Sequence, residues 1–181
     1  VKSLVIAVLV LAALAAAAGF RYSGARRELE AQRDGMSAAW TPVSDALDRR
    51  SELVPSLIAT FRSAAPHDAP VLQELTASAA ALAAARTPPE KMRAYDRLSA
   101  ALSRLLLLTE RYPKLRAGAS FQRLQDELAR TENQVFVQRR KYNEAVQKYN
   151  TAIGQFPNNI VAAIGGFTRN NAYFKTEPDA R

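Results

Sequence analysis

The chain has no cysteine, a single histidine and only seven glycines among its 181 residues. Without cysteine there is no disulfide, no thiolate metal site, no cysteine nucleophile and no lipid-modified cysteine. Zinc held by His67 would need a carboxylate-dominated ligand set, which the spacing of the acids does not offer. A Ser/His/Asp triad would have to use the same histidine, and no serine sits in a strand–turn–helix elbow. Neither GxGxxG nor GxxxxGK[ST] occurs, so nucleotide phosphates have no cradle. The sequence therefore assigns no catalytic residue, metal ligand or cofactor, and the chain reads as a non-enzyme. The scarcity of glycine, together with long runs rich in Ala, Leu, Arg, Glu and Gln, favours helix over sheet. With 48% apolar residues the chain can still bury a core.

Charge is missing altogether from Ser3 to Phe20, an 18-residue run of SLVIAVLVLAALAAAAGF. As a helix it would span about 27 Å, close to the roughly 30 Å hydrocarbon layer of a bilayer. Phe20 and Tyr22 suit an aromatic interface, and Arg21 can extend its guanidinium to the head groups. A cleaved signal peptide is the alternative, with Lys2 as a short basic start and Ala15–Ala18 as small residues for cleavage. The basic flank Arg21, Arg26 and Arg27 resembles a stop-transfer segment and favours a retained anchor. Because Arg21, Arg26, Arg27 and Arg33 outnumber the single Lys2 before the run, the positive-inside tendency places the larger part of the chain in the cytoplasm.

Beyond the anchor the dominant signal is a 3/4 spacing of apolar residues. Phe121, Leu124, Leu128, Thr131, Val135, Gln138, Tyr142, Ala145, Tyr149, Ala152 and Phe156 follow it, widened by Val146 and Ile153. The stripe predicts one helix of about 54 Å, which needs partner helices to cover it. Leu29, Met36, Trp40, Val43, Leu47, Val54, Leu57 and Phe61 form an earlier stripe in which Arg33 and Arg50 fill two steps. Pro42 and Pro55 predict a kink or a restart there, Thr41-Pro42 serving equally well as a fresh N-cap. Ala64–Pro70 reads as a turn, with Asp68 capping a helix of Leu72, Leu75, Ala79 and Leu82. Thr87-Pro88-Pro89-Glu90 reads as a capping box opening the stripe Tyr95, Leu98, Leu102, Leu105, Thr109 and Tyr112, which Pro113 stops. Ile160, Val161 and Ile164 predict a short amphipathic turn ending at Gly165-Gly166. The expected architecture is all-α: an elongated antiparallel up-and-down bundle of about four long helices after an N-terminal transmembrane helix. The expected division is 1–22 anchor, 23–166 bundle and 167–181 tail.

Polar residues inside or beside these stripes are the sharpest functional lead: Arg50, Thr131 and Gln138, with Arg49, Glu52, Glu132 and Asn133 adjacent. They predict either a polar cluster lining a ligand or partner groove, or a network that fixes helix register, and the second is favoured. Tyr142-Asn143 and Tyr149-Asn150 recur seven residues apart and so share one side of their helix. The formal charge of +8 admits anionic lipid as a partner of the juxtamembrane arginines. Nucleic acid, through Arg139-Arg140-Lys141, is disfavoured because acids alternate with the bases and no binding motif accompanies them.

Several blocks in fixed order resemble the LemA family. They are Ala39-Trp40-x-x-Val43-x-x-x-Leu47-x-Arg49-Arg50-x-Glu52-Leu53-Val54-Pro55-x-Leu57, then Glu110-Arg111-Tyr112-Pro113-x-Leu115, then Phe121-x-x-Leu124-Gln125-x-Glu127-Leu128-x-x-Thr131-Glu132-Asn133. Arg139-Arg140-x-Tyr142-Asn143-x-x-Val146-x-x-Tyr149-Asn150, Phe156-Pro157 and Gly166-Phe167 complete the pattern. Ser56 and Asp68 depart from it, standing where Asn and Glu are usual. The resemblance implies an N-terminal transmembrane helix followed by a helical bundle, and no established activity. Some relatives take part in building bacterial magnetosome membranes, which implies membrane organisation rather than catalysis. The expected function is a membrane-anchored scaffold or adaptor for a protein partner at the inner or plasma membrane; a lipid-binding or membrane-organising protein is the alternative.

Overall fold

In the computed structural model, which describes residues 2–64 and 69–174, Pro42 lies inside an unbroken helix α1, Lys2–Glu52. Proline costs a helix one backbone hydrogen bond, here that of the Ala38 carbonyl, and both Pro42 and Ala38 are on the exposed side. The restart falls later, at Leu53. Helix α2, Val54–Ala64, begins there with Pro55 at its second position, where a missing donor is harmless. The Leu57 amide still reaches the Leu53 carbonyl at 3.1 Å, so the seam of Val43, Leu47, Val54, Leu57 and Phe61 stays buried across the break.

Helix α3, Ala69–Ala84, buries Leu72, Leu75, Ser78 and Leu82 and packs against α4, Pro88–Leu108. The turn between them ends in the predicted capping box. Thr87 Oγ1 accepts from the Glu90 amide, while Glu90 Oε2 accepts from the amides of Arg86 and Thr87, both at 3.0 Å. These donors, Arg86 first, hold the Glu90 carboxyl below its ordinary range. A 3-10 turn, Thr109–Arg111, and the short helix α5, Pro113–Arg116, then lead into α6, Ala119–Gly154, and α7, Asn158–Gly165. His67 and Asp68, with the capping role expected of Asp68, lie outside the described residues.

The chain divides into two compact units, to both of which α1 and α6 contribute. The second unit holds Ala39–Asn143 and the chain from Ala172. Within it, Trp40 meets Tyr142 and Arg50 meets Glu132, so α6 runs antiparallel to α1. Asp48 meets Lys91 and Phe61 meets Tyr112, so α4 runs parallel to α1 and α2. Glu74 pairs with Arg104 at 2.5 Å across the antiparallel α3–α4 pair. This is the expected up-and-down bundle, closed around Leu75, Leu82, Leu98, Leu102, Leu105, Phe121 and Val135.

The first unit holds the chain up to Ala38 and Glu144–Asn171. Its core is Leu29, Tyr149, Ala152, Ile153, Val161 and Ala162, with Tyr22, Ala25, Met36 and Phe167 against it. From Lys2 to Phe20 every residue of α1 is exposed, apolar side chains on all sides included. A helix apolar all round with no protein against it matches a membrane span in length and composition. Two stripe positions were misread. Arg33 is exposed rather than in the seam, its guanidinium 5.6 Å from the Phe167 ring centroid. Phe156 is 80% exposed, because α6 stops at Gly154 and the following turn carries the ring away from the core.

Candidate functional site

The polar residues singled out in the stripes do not all converge. Arg50 of α1 and Glu132 of α6 form an ion pair in the second unit. Tyr95 of α4 donates its hydroxyl to Glu132 Oε1 at 2.7 Å, tying three helices to one carboxylate. The Arg50 side chain is 9% exposed and that of Glu132 43%, so the cation is the buried partner. Arg50 Nε has no hydrogen-bond partner among the described residues, which leaves Glu132 as its main compensation. Elsewhere, Thr131 bonds back to the Leu128 carbonyl, and Glu52 and Asn133 are exposed. Arg49 and Gln138 border a shallow groove with Pro42, Asp45, Ala46 and Gln134.

Around the ion pair stands an aromatic and cationic shell. Tyr95 has the Arg50 and Arg139 guanidinium carbons each 5.8 Å from its ring centroid. Phe174 enters this shell, 5.0 Å from the Arg139 guanidinium, stacked on Trp40 at 6.0 Å and edge-on to Tyr142 at 6.2 Å. Its backbone is held by Asn143, whose Oδ1 accepts from the Phe174 amide and whose Nδ2 donates to its carbonyl, both at 3.0 Å. Phe174 thus packs among these side chains, and the Arg50, Tyr95 and Glu132 contacts tie α1, α4 and α6 together. Lys91 adds a second fastening, its Nζ 2.7–2.8 Å from Ser44 Oγ and both Asp48 oxygens.

The Tyr-Asn repeat has a counterpart in the first unit. Asn150 grips Asn170 by the same two bonds, Oδ1 to the amide at 2.8 Å and Nδ2 to the carbonyl at 2.7 Å. Tyr149 donates to the Thr168 carbonyl at 2.9 Å, and Asn170 Nδ2 reaches Met36 Sδ at 3.1 Å. Each asparagine side chain therefore supplies the pairing that a neighbouring strand would give to an extended segment. Gly165-Gly166 starts that segment: Gly166 has φ 71°, and a Cβ at Gly165 would come within 2.8 Å of the Phe167 ring. Asn150→Ala removes both bonds to Asn170, at about 0.5–1.5 kcal/mol each. Hydrogen exchange should show the Asn170 amide exchanging about 10- to 100-fold faster, at little cost to global melting.

Burial, then the hydrogen bond and charge of Glu132, push the Tyr95 phenol above its ordinary value of 10.0. A raised value means the folded chain holds this proton more tightly than the unfolded one. That contribution is complete below about pH 10 and is lost as pH rises through the folded value. Burial raises Tyr149 too. Tyr95→Phe should therefore flatten, without abolishing, the fall of melting temperature above pH 10.

Sequence comparison bears on the same residues. The LemA family model matches residues 39–181, all of the second unit and the asparagine clamps. The chain belongs to the LemA family. Magnetosome protein MamQ 2 of Paramagnetospirillum magneticum is 33% identical over 78 residues, covering 43% of this chain and 28% of that protein. Magnetosome protein MamQ of Magnetospirillum gryphiswaldense is 31% identical with the same coverage. The chain thus matches less than a third of the length of these curated relatives. Of the residues in the LemA blocks read from the sequence, Arg50, Glu132, Arg139 and Tyr142 belong to the cluster around the ion pair, and Asn143 and Asn150 grip the extended segment. Tyr95 and Phe174, which complete the cluster, were missed as polar-site members. Tyr95 reads as a core residue of its stripe, and the extended segment has no periodicity to read.

Proposed function

We propose that the chain is a non-catalytic, membrane-anchored scaffold that engages a protein partner, with α1 crossing the inner or plasma membrane once and the bundle in the cytoplasm. The observation that carries this reading lies on α6. Phe136 is 63% exposed beside the exposed Val137, while the core of the second unit closes without either. Asn133, Arg140 and Lys141 lie within one helical turn of them and are exposed, giving an apolar patch with a basic rim. Such a surface suits an apolar helix carrying acidic residues. The basic flank after Phe20 supports the cytoplasmic orientation, and a C-terminal reporter active only outside the cytoplasm would reverse it.

The test is p-benzoylphenylalanine placed at position 136 of the full chain in native membranes. A discrete crosslinked species should appear there and be absent with the probe at exposed Asp126. The same diffuse pattern from both positions would sink the scaffold reading. A second reading, direct membrane organisation, draws support from the relatives named as magnetosome proteins and from the juxtamembrane arginines.

A further inference from the structure

We propose that α7 and the turn before it form a second membrane contact, an apolar wedge resting in the bilayer interface beside the exit of α1. The inference rests on reading α1 as a membrane span and is independent of any protein partner. Three observations of the first unit carry it. Phe156 is 80% exposed and Ile164 69%, with Ile160 also exposed; together they are an aromatic and two isoleucines turned away from their own core. Val161 and Ala162 occupy the opposite side of α7 and pack into the core with Leu29, so the outward residues are an unpartnered face rather than loose packing.

The face also lies next to the anchor. Phe156, Pro157 and Asn158 line one cleft with Phe20, Arg21, Gly24, Ala25 and Glu28, the residues at which the apolar run of α1 gives way to charge. Phe20, itself largely exposed, marks the interface where aromatic rings settle. Contact with residues 20–28 puts the turn within about 12 Å of the end of that run along α1 at 1.5 Å per residue.

Finally, Tyr149–Thr168 carries no Asp, Glu, Lys, Arg or His, in a chain where 23% of residues are charged. A soluble protein surface has no reason to discard charge over such a stretch while exposing Phe and Ile. A surface seated among lipid acyl chains and head groups does. The recognised chemistry is apolar: Phe156, Ile160 and Ile164 would enter the acyl boundary, while Arg21 and Arg27 stay at head-group level.

Because the chain has no cysteine, single labels can be placed cleanly. The full chain, with an environment-sensitive fluorophore on Ile164→Cys or Phe156→Cys, is reconstituted at one copy per phosphatidylcholine nanodisc, which leaves lipid as the sole available cover. Leu11→Cys reports on the span and exposed Gln147→Cys, outside the uncharged stretch, on the aqueous part of the same unit. The expected result is blue-shifted emission at positions 156 and 164, quenched by nitroxides near the head group and persisting in 1 M salt, with Leu11 quenched by deep nitroxides and Gln147 by neither. Quenching at Leu11 without quenching at 164 and 156 overturns the wedge alone. No quenching at Leu11 overturns both the wedge and the anchor. Quenching at 164 only when several copies share a disc would assign the face to a second copy and overturn the lipid contact, as would its loss in high salt. Circular dichroism of each labelled chain confirms that helix content is unchanged.

Discussion

Val135→Asp is expected to unfold the second unit, whereas Arg130→Ala, five residues away on the same helix, should leave its melting temperature nearly unchanged. Val135 is completely buried, and Leu128, two steps back along the stripe, nearly so. Losing a buried valine costs about 1.5–3 kcal/mol, and an unpaired carboxylate in its place adds several more. The sum is comparable to the roughly 5–15 kcal/mol that stabilises a whole domain. Arg130 is exposed, and truncating it should shift stability by less than about 0.5 kcal/mol. Thermal melts of the full chain in detergent, followed by circular dichroism, provide the comparison. Equal melting temperatures would mean that the stripe is a docking surface and that the bundle is misassigned.

The second large effect is an asymmetry within the Arg50–Glu132 pair. Glu132→Ala leaves a cation with a 9% exposed side chain facing Tyr95 and no carboxylate, and should cost about 3 kcal/mol. Arg50→Met keeps most of the side-chain volume and leaves behind a carboxylate that is 43% exposed and can rehydrate. Its cost should stay near 1 kcal/mol. The double variant Arg50→Met/Glu132→Gln should resemble Arg50→Met alone, since the penalty of Glu132→Ala lies in the stranded guanidinium. Urea titrations of the four proteins check this. A larger loss for Arg50→Met than for Glu132→Ala would place the buried charge on the wrong partner.

Much of the fold was legible because helices advertise themselves locally. The α6 stripe and the Thr87–Glu90 box need only spacing and short-range hydrogen bonding, and both form as read. Pro42 was ambiguous because a proline on an exposed helix face costs one bond, and tertiary packing of Val43 and Leu47 outweighs it. Phe156 failed for a related reason: the 3/4 count runs on past Gly154, but the helix does not. The candidate site was legible as a set of residue types and not as a set of partners. Arg50 and Glu132 stood out as polar among apolar neighbours, yet their pairing spans a long sequence separation, and Tyr95 looked like any core aromatic. The Asn143 and Asn150 repeat was visible, but what it grips was not. An extended segment held by side-chain amides leaves no periodic trace in residues 167–174.

In the second unit the polar interior is proposed to fasten helices and the exposed patch on α6 to meet a partner. The most direct measurement is the position-136 photo-crosslink in the Arg50→Met/Glu132→Gln background, in native membranes, alongside the melting temperature of the same protein. The crosslinked species should persist with the interior network removed, and Val137→Asp should abolish it with the melting temperature kept. Loss of the species in a normally folded Arg50→Met/Glu132→Gln chain, with Val137→Asp unaffected, would make the interior cluster the functional site and contradict the account.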